Sequence, residues 1–289
     1  MRLSSIGKKT LAGAFISAFA LAAVWISAPA LSARSQQDNP VTMSPDANSA
    51  KARALLQQMV AALGGDAYLK VRDSDCTGRR ANFGLSGDLT GYILFHELRI
   101  YPDKSRLEYA KNAAIIDVFN GDSGWSLDKS GVGEADPVTV AGFQGAQKTS
   151  VTNLIRTRLN EPGLSLHYAG SDVVDLKPVD WLEITDSEDR TFRIAIVQAT
   201  HLPVRCIVVT KNPATNEPSE DLTIFSEWHL IDGVQTPFQI SRERDGKRYY
   251  QGFYLSCHYN TGVSPDLFTQ ASLQQRANEK GIKPPKKKN

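Results

Sequence analysis

Apolar positions along this chain follow two rhythms, a helical stripe near the start and then a long succession of short extended segments. Leu55, Leu56, Met59, Val60 and Leu63 fall at i, i+1, i+4, i+5 and i+8. That spacing puts them on one face of a helix, which Ser44, Asp46 or Ser49 can cap and Gly64-Gly65 ends. Asp73 to Leu85 predicts a first strand. Asp88 to Leu127 predicts four more, broken at Tyr101-Pro102-Asp103-Lys104, at Lys111-Asn112 and at Asn120 to Gly124, where Pro, Asn, Asp and Gly supply turn conformations. Between Tyr92 and Ile100 the even positions Tyr92, Leu94, Leu98 and Ile100 are apolar and the odd set includes Glu97 and Arg99, so one face of this sheet meets something greasy.

Asp128 to Lys148 is Gly-rich and contains Pro137, which predicts a loop or flap. A second helix follows, capped by Thr149 or Ser150, with Val151, Leu154, Ile155 and Leu159 as its stripe and Asn160 to Gly163 as its stop. From Leu164 onward seven strand candidates run to Tyr259. They are separated by turns at Asp186 to Asp189, at Asn212-Pro213 with Asn216, at Asp232-Gly233 and at Asp245-Gly246. The last two are the strongest hairpin signals, because a type I′ turn needs positive φ at both central residues. Pro237 implies an edge or a bulge, since it lacks an N–H for the ladder. Roughly a dozen strands are too many for one flat sheet. The expected fold is therefore α+β and mostly antiparallel β: an open, unclosed, curved β-barrel with two helices covering its mouth.

The composition of the 289-residue chain, 41% hydrophobic and 22% charged, is that of a folded globular protein. A net charge of +2 gives no basis for nucleic-acid binding. Arg2, Lys8 and Lys9, the uncharged run Leu11 to Ile26 and the small-residue site Ala28-Pro29-Ala30 read as a signal peptide over residues 1–33. Export to the periplasm follows, with the segment cleaved; retention as an anchor is the alternative. No Cys follows that run, so the chain is not expected to be a lipoprotein. Residues 34–47 read as a flexible linker, 48–268 as one half-barrel domain, and 269–289 as a polar tail ending in Pro-Pro-Lys-Lys-Lys-Asn. Such a tail is a solvated segment, with anionic headgroups as its sharper partner.

Cys76, Cys206 and Cys257 allow at most one bridge. In a simple meander Cys206 and Cys257 lie two strands apart, beyond bridging distance unless the sheet curls, so three buried thiols are expected. His96, His167, His201, His229 and His258 show no metal-ligand spacing, and no G-x-S-x-G, Walker A or G-x-G-x-x-G motif occurs. No catalytic residue, metal or cofactor is expected, and a hydrolase built from scattered His and Asp ranks last. Glu183, Asp186, Glu188 and Asp189 read as an ordinary solvated turn.

Gly91, Pro102, Arg106, Tyr109, Ile115, Asn120-Gly121 and Trp125 carry a strand, a Pro-containing turn and a strand ending in an Asn-Gly turn and Trp. This pattern resembles the outer-membrane lipoprotein-sorting superfamily, the LolA/LolB-like carriers, as do the two helices and the Asp232-Gly233-Val234 hairpin with Pro237. The resemblance implies a hydrophobic cavity under covering helices and a periplasmic role in carrying lipid-modified cargo between membranes. The classical carrier has an Arg, linked to cargo handover, just before the turn Pro; here Tyr101 holds that place. The chain is thus expected to be a monomeric, non-enzymatic carrier of lipid or acylated protein cargo, with membrane-bound donor and acceptor proteins and transient membrane contact. Leu94, Leu98, Ile100, Phe119, Trp125, Phe192, Ile194, Ile196, Phe238 and Ile240 are the expected cavity lining. An envelope sensor that uses the same half-barrel to bind a partner protein is the alternative.

Overall fold

A computed structural model describes residues 43–84, 86–109, 115–211 and 217–282. The signal segment, most of the linker, the turns at Lys111-Asn112 and Asn212-Pro213, and the terminal lysines lie outside them. Helix α1 (Pro45–Leu63) starts at Ser44, whose side chain accepts from Ala47 N–H, and stops at Gly64. At φ +122° that glycine lets the chain pass against the Gly233 carbonyl, where a Cβ would collide. The short α2 (Asp66–Leu69) follows, then six strands: β1 (Asp73–Phe83), β2 (Leu89–Ile100), β3 (Lys104–Tyr109), β4 (Ile115–Asn120), β5 (Ser123–Asp128) and β6 (Gly131–Glu134).

Where a loop or flap is expected, the chain instead forms β6 and then α3 (Pro137–Lys148), whose Asp136 cap accepts from Thr139 N–H at 2.9 Å. The Asp-Pro start outweighs two helix glycines, Gly142 and Gly145, that on their own disfavour a helix. The second expected helix is a single α-turn, α4 (Val151–Asn153) capped by Ser150, that widens into a π-helical turn at Leu154–Arg158. Seven strands follow: β7 (Ser165–Val174), β8 (Lys177–Thr185), β9 (Thr191–Val197), β10 (Pro203–Lys211), β11 (Pro218–Ile231), β12 (Val234–Arg244) and β13 (Lys247–Tyr259). Both predicted hairpin turns are present, with φ of 50° and 80° at Asp232-Gly233 and 48° and 75° at Asp245-Gly246. Pro237 sits opposite Trp228 of β11, just before β12 begins to pair with β13 at Gln239, so its missing N–H breaks no ladder bond.

All thirteen strands form one antiparallel sheet in the order β6-β5-β4-β3-β2-β1-β13-β12-β11-β10-β9-β8-β7. Two meanders are joined where β1 meets β13, and the two edges, β6 and β7, are consecutive in the chain. The segment carrying α3, α4 and the π-turn must therefore travel from one edge of the sheet to the other. In the β1–β13 ladder Cys76 stands directly opposite Cys257, and the two form a disulfide. Cys206, on β10, is a buried free thiol whose pKa is pushed up to about 12 by burial. This corrects the expectation of three thiols: Cys257 has a partner because the last strand returns beside the first, a pairing that local sequence does not announce.

The two faces of the sheet pack against different elements. On the inner face Leu55, Leu56 and Met59 of α1 bury Tyr168, Leu182, Ile184 and Phe192. Asn48 of α1 acts as a stand-in for a neighbouring strand at the β7 edge: its Nδ2 donates to Tyr168 O and its Oδ1 accepts from Tyr168 N–H, both at 2.8 Å. On the outer face the chain beyond β13 forms a 3₁₀ turn (Pro265–Phe268) and helix α5 (Gln270–Glu279), in part of the stretch expected to be a polar tail. Phe268, Leu273 and Ala277 are buried there against Leu98, Ile116, Val118 and Leu127. Arg106 ties this helix down, donating from Nη1 to Leu267 O at 3.1 Å and to Ser272 Oγ at 3.2 Å.

Asp186 is also unlike its expected solvated turn, being almost wholly buried. It accepts from Arg158 Nη2 at 2.8 Å, from Arg190 Nε at 2.9 Å and from the backbone N–H groups of Glu188 and Arg190. Burial alone would raise its pKa, but these donors outweigh it and the carboxyl is held below its ordinary value. Arg158 belongs to the π-turn, so this cluster fastens the crossing segment to the β8–β9 turn.

Three outcomes follow. Leu273→Ala should cost about 2–5 kcal/mol in urea unfolding, as a large-to-small change in a core does, and a polar tail would show no such loss. Thiol titration of denatured, unreduced protein should count one free thiol, and three after reduction. Asp186→Asn should destabilise by about 1–3 kcal/mol, by taking the charged acceptor from two guanidinium groups that then keep only Glu161 and Glu188 as carboxylate partners. Because the native carboxyl binds its proton less readily than the unfolded one, this contribution is complete above the ordinary value of 3.8. It is lost as pH falls through the native value, so the wild-type and Asn proteins should converge in stability in strong acid.

Candidate functional site

A cavity of about 440 Å³ lies between the inner face and the helices, with Met59 of α1, Tyr68 of α2, Gly145 of α3 and Ile155 of the π-turn on the helix side. On the sheet side its wall is supplied by β2, β1, β13, β12, β11, β10 and β9, seven neighbouring strands. Laid flat, these would spread over roughly 29 Å at about 4.8 Å per strand. Their convergence on one cavity means that the sheet curls around it, and β6 and β7 are left as unpaired edges.

Along β11 the lining runs from Asp221 through Thr223 and Phe225 to Trp228, roughly 23 Å at about 3.3 Å per residue. The two ends differ. At the Asp221 end the wall is charged and open to solvent: Arg244 donates from Nε to Asp221 Oδ1 at 2.8 Å, and Arg242 and Tyr249 stand beside it. The middle is apolar, with Ile240, Phe225, Val208 and Ile194. At the Trp228 end the wall is aromatic and closed. Tyr259 OH lies 3.0 Å from Thr236 Oγ1, and Tyr101 OH lies 3.4 Å from Ser74 Oγ. The guanidinium of Arg156, carried by the π-turn, stands 4.4 Å from the ring centre of Tyr68, 4.9 Å from that of Tyr101 and 6.0 Å from that of Tyr259. Burial raises the pKa of Tyr68, against the pull of Arg156, and pushes that of Tyr259 up to about 12. These phenols stay neutral at physiological pH.

Of the ten residues expected to line a cavity, Ile194 and Ile240 do. Phe192 and Ile196 are on the same inner face but are fully buried in the core beneath α1. Phe119 stacks on Phe143 of α3 at 4.5 Å between ring centres, and Phe238 packs between His229 and Tyr254. Leu98, Ile100 and Trp125 belong to the outer face under the C-terminal segment, and Leu94 is 38% exposed on that side of β2. Of the apolar even positions of β2, Leu98 and Ile100 thus pack beneath the C-terminal segment and Tyr92 and Leu94 are exposed, while the charged odd positions Glu97 and Arg99 point into the cavity. They are held as a pair at 2.7 Å. Burial disfavours the charge on Arg99, but Glu97 and the neighbouring tyrosines outweigh it and raise its pKa.

Arg156 and the tyrosines around it were not legible as site residues. Arg156 lies beside an apolar stripe that reads as an amphipathic helix, and only the π-turn and the returning β13 bring it to three separate aromatic rings. Among the described residues no group of three or more His, Cys, Asp or Glu side chains is placed to hold a metal ion, and no helix is long and apolar enough to cross a membrane.

No family model matches this chain, and no curated protein matches it. Solved structures do match. A DUF1329 family protein from Desulfovibrio piger superposes with a TM-score of 0.56 at 16% identity, over 78% of this chain and 99% of that one. A putative outer membrane lipoprotein-sorting protein domain from Vibrio parahaemolyticus gives 0.52 at 11% identity, over 78% and 100%. A LolA superfamily protein from Nitrosomonas europaea gives 0.49 at 13% identity, over 77% and 99%. At these identities the likeness is one of fold: the chain has a LolA-like fold, an unclosed antiparallel sheet accompanied by a few helices.

Proposed function

We propose that this protein is a carrier that shelters the apolar part of a lipid, or the acyl chains of a lipidated protein, and moves it within the cell envelope by binding and release without chemistry. The observation that carries this reading is the elongated cavity, whose apolar middle separates one open charged end from one closed aromatic end. Its volume of about 440 Å³ lies within the roughly 300–1,000 Å³ usual for small-molecule sites. Each buried methylene contributes about 0.8 kcal/mol, so a few of them give a hold that is firm yet reversible. The name of the Vibrio parahaemolyticus neighbour, lipoprotein-sorting, fits this use of the fold. A periplasmic location is favoured by the signal-like N-terminus and by the Cys76–Cys257 bridge, which suits an oxidising compartment. Which lipid is carried, and between which donor and acceptor, belongs to the same proposal and is open to direct test.

Native mass spectrometry of the protein isolated from its own envelope fraction should show co-purified lipid. After delipidation a fluorescent fatty acid should bind, and Ile240→Glu, which places a charge in the apolar middle, should weaken that binding at least tenfold. Leu230→Ser, on an exposed position, should leave it unchanged. A protein that emerges empty and ignores the probe would overturn the carrier reading.

A further inference from the structure

The closed end of the cavity holds an imbalance of hydrogen-bonding groups. Arg156 Nε and Nη1 and Trp228 Nε1 are buried and have no acceptor among the described residues. Both residues line the cavity, and they meet at the same end. Arg156 faces Tyr259, Tyr259 OH is bonded to Thr236, and Thr236 precedes the Pro237 that pairs with Trp228. The three tyrosine rings hold the guanidinium through their π faces, which leaves the hydrogens of Nε and Nη1 unspent. The two carboxylates that line the cavity are engaged elsewhere, Glu97 with Arg99 and, at the far end, Asp221 with Arg244. A guanidinium keeps its charge and only donates, as does an indole N–H. A buried donor without an acceptor is costly, and most so when it is charged. What is missing is an acceptor-only group, and an anionic oxygen group forms the strongest bonds with such donors.

We infer that the cavity is built for an anionic amphiphile, whose carboxylate or phosphate head sits on Arg156 and Trp228 while its acyl chain lies along β11 past Phe225 and Ile240. This rests on the carrier reading and narrows its ligand class from lipids in general to those with a negatively charged head. The position before the turn proline, Tyr101, then serves the head site as one wall of the aromatic box around Arg156.

The experiment measures binding of delipidated protein to cis-parinaric acid and to its uncharged methyl ester at neutral pH. Oleate, oleoyl lysophosphatidic acid and oleyl alcohol act as competitors, to separate a carboxylate source from a phosphate one. The acid should bind at least tenfold tighter than the ester. Arg156→Met should bring the ratio to about one while leaving ester affinity in place, and the stronger of the two anionic competitors identifies the head. Equal binding of acid and ester to the wild type, or a preference that survives in Arg156→Met, overturns the inference and leaves the carrier reading standing. Absence of binding by either probe overturns both. If Arg156→Met does not fold by circular dichroism, Trp228→Phe, which keeps an aromatic ring but lacks the N–H, replaces it. A severalfold loss for the acid alone supports the head site, and an unchanged ratio overturns it.

Discussion

The pairing of β1 with β13 is the constraint on which the rest of the molecule depends. It joins two meanders that would otherwise be separate sheets, across a sequence separation of 181 residues at the disulfide. Loop closure over such a distance is entropically unfavourable, and a covalent link at that point removes much of the unfolded chain's freedom. Once the joint is made, β6 and β7 become the outer edges of a single sheet, and because they are consecutive in the chain the stretch between them has to cross. The cavity is what this crossing encloses against the curled inner face.

Two devices fix the crossing segment. Asp186, buried between Arg158 and Arg190, holds the π-turn to the β8–β9 corner, and Asn153 Nδ2 donates to Pro102 O at 3.0 Å at the end of β2. A π-turn carries an extra residue relative to an α-turn and is a frequent companion of functional sites. Here it presents Arg156 to the tyrosine box and Arg158 to the anchoring carboxylate, so one turn serves both stability and the cavity's closed end.

Alternation along β2 was read correctly as a pattern and placed on the wrong side. Leu98 and Ile100 are apolar because Phe268, Leu273 and Ala277 cover them, and Glu97 and Arg99 are charged because their face is the cavity wall. A period of two tells which residues share a face, but not which partner that face meets. The partner lies more than 160 residues downstream, in a segment whose overall polarity conceals three well-spaced core residues. Phe192 and Ile196 show a related limit. They do face inward as expected, yet α1 covers that part of the face and turns it into core.

By itself the sequence determined what depends on near neighbours: the capped α1, the strands other than β6, and the two I′ hairpins at Asp232-Gly233 and Asp245-Gly246, all governed by local sterics and periodicity. From Gly91 to Trp125, with the flanking helices and the hairpin before Pro237, it also held a resemblance that pointed to a LolA-like fold. The tertiary structure alone decided which cysteines meet, which face of β2 is dry, and that Arg156 stands among Tyr68, Tyr101 and Tyr259 with Nε and Nη1 lacking an acceptor among the described residues. Each of these rests on contacts between residues far apart in the chain, and spacing along a sequence carries no information about such distances until β1 has paired with β13 and the sheet has curled.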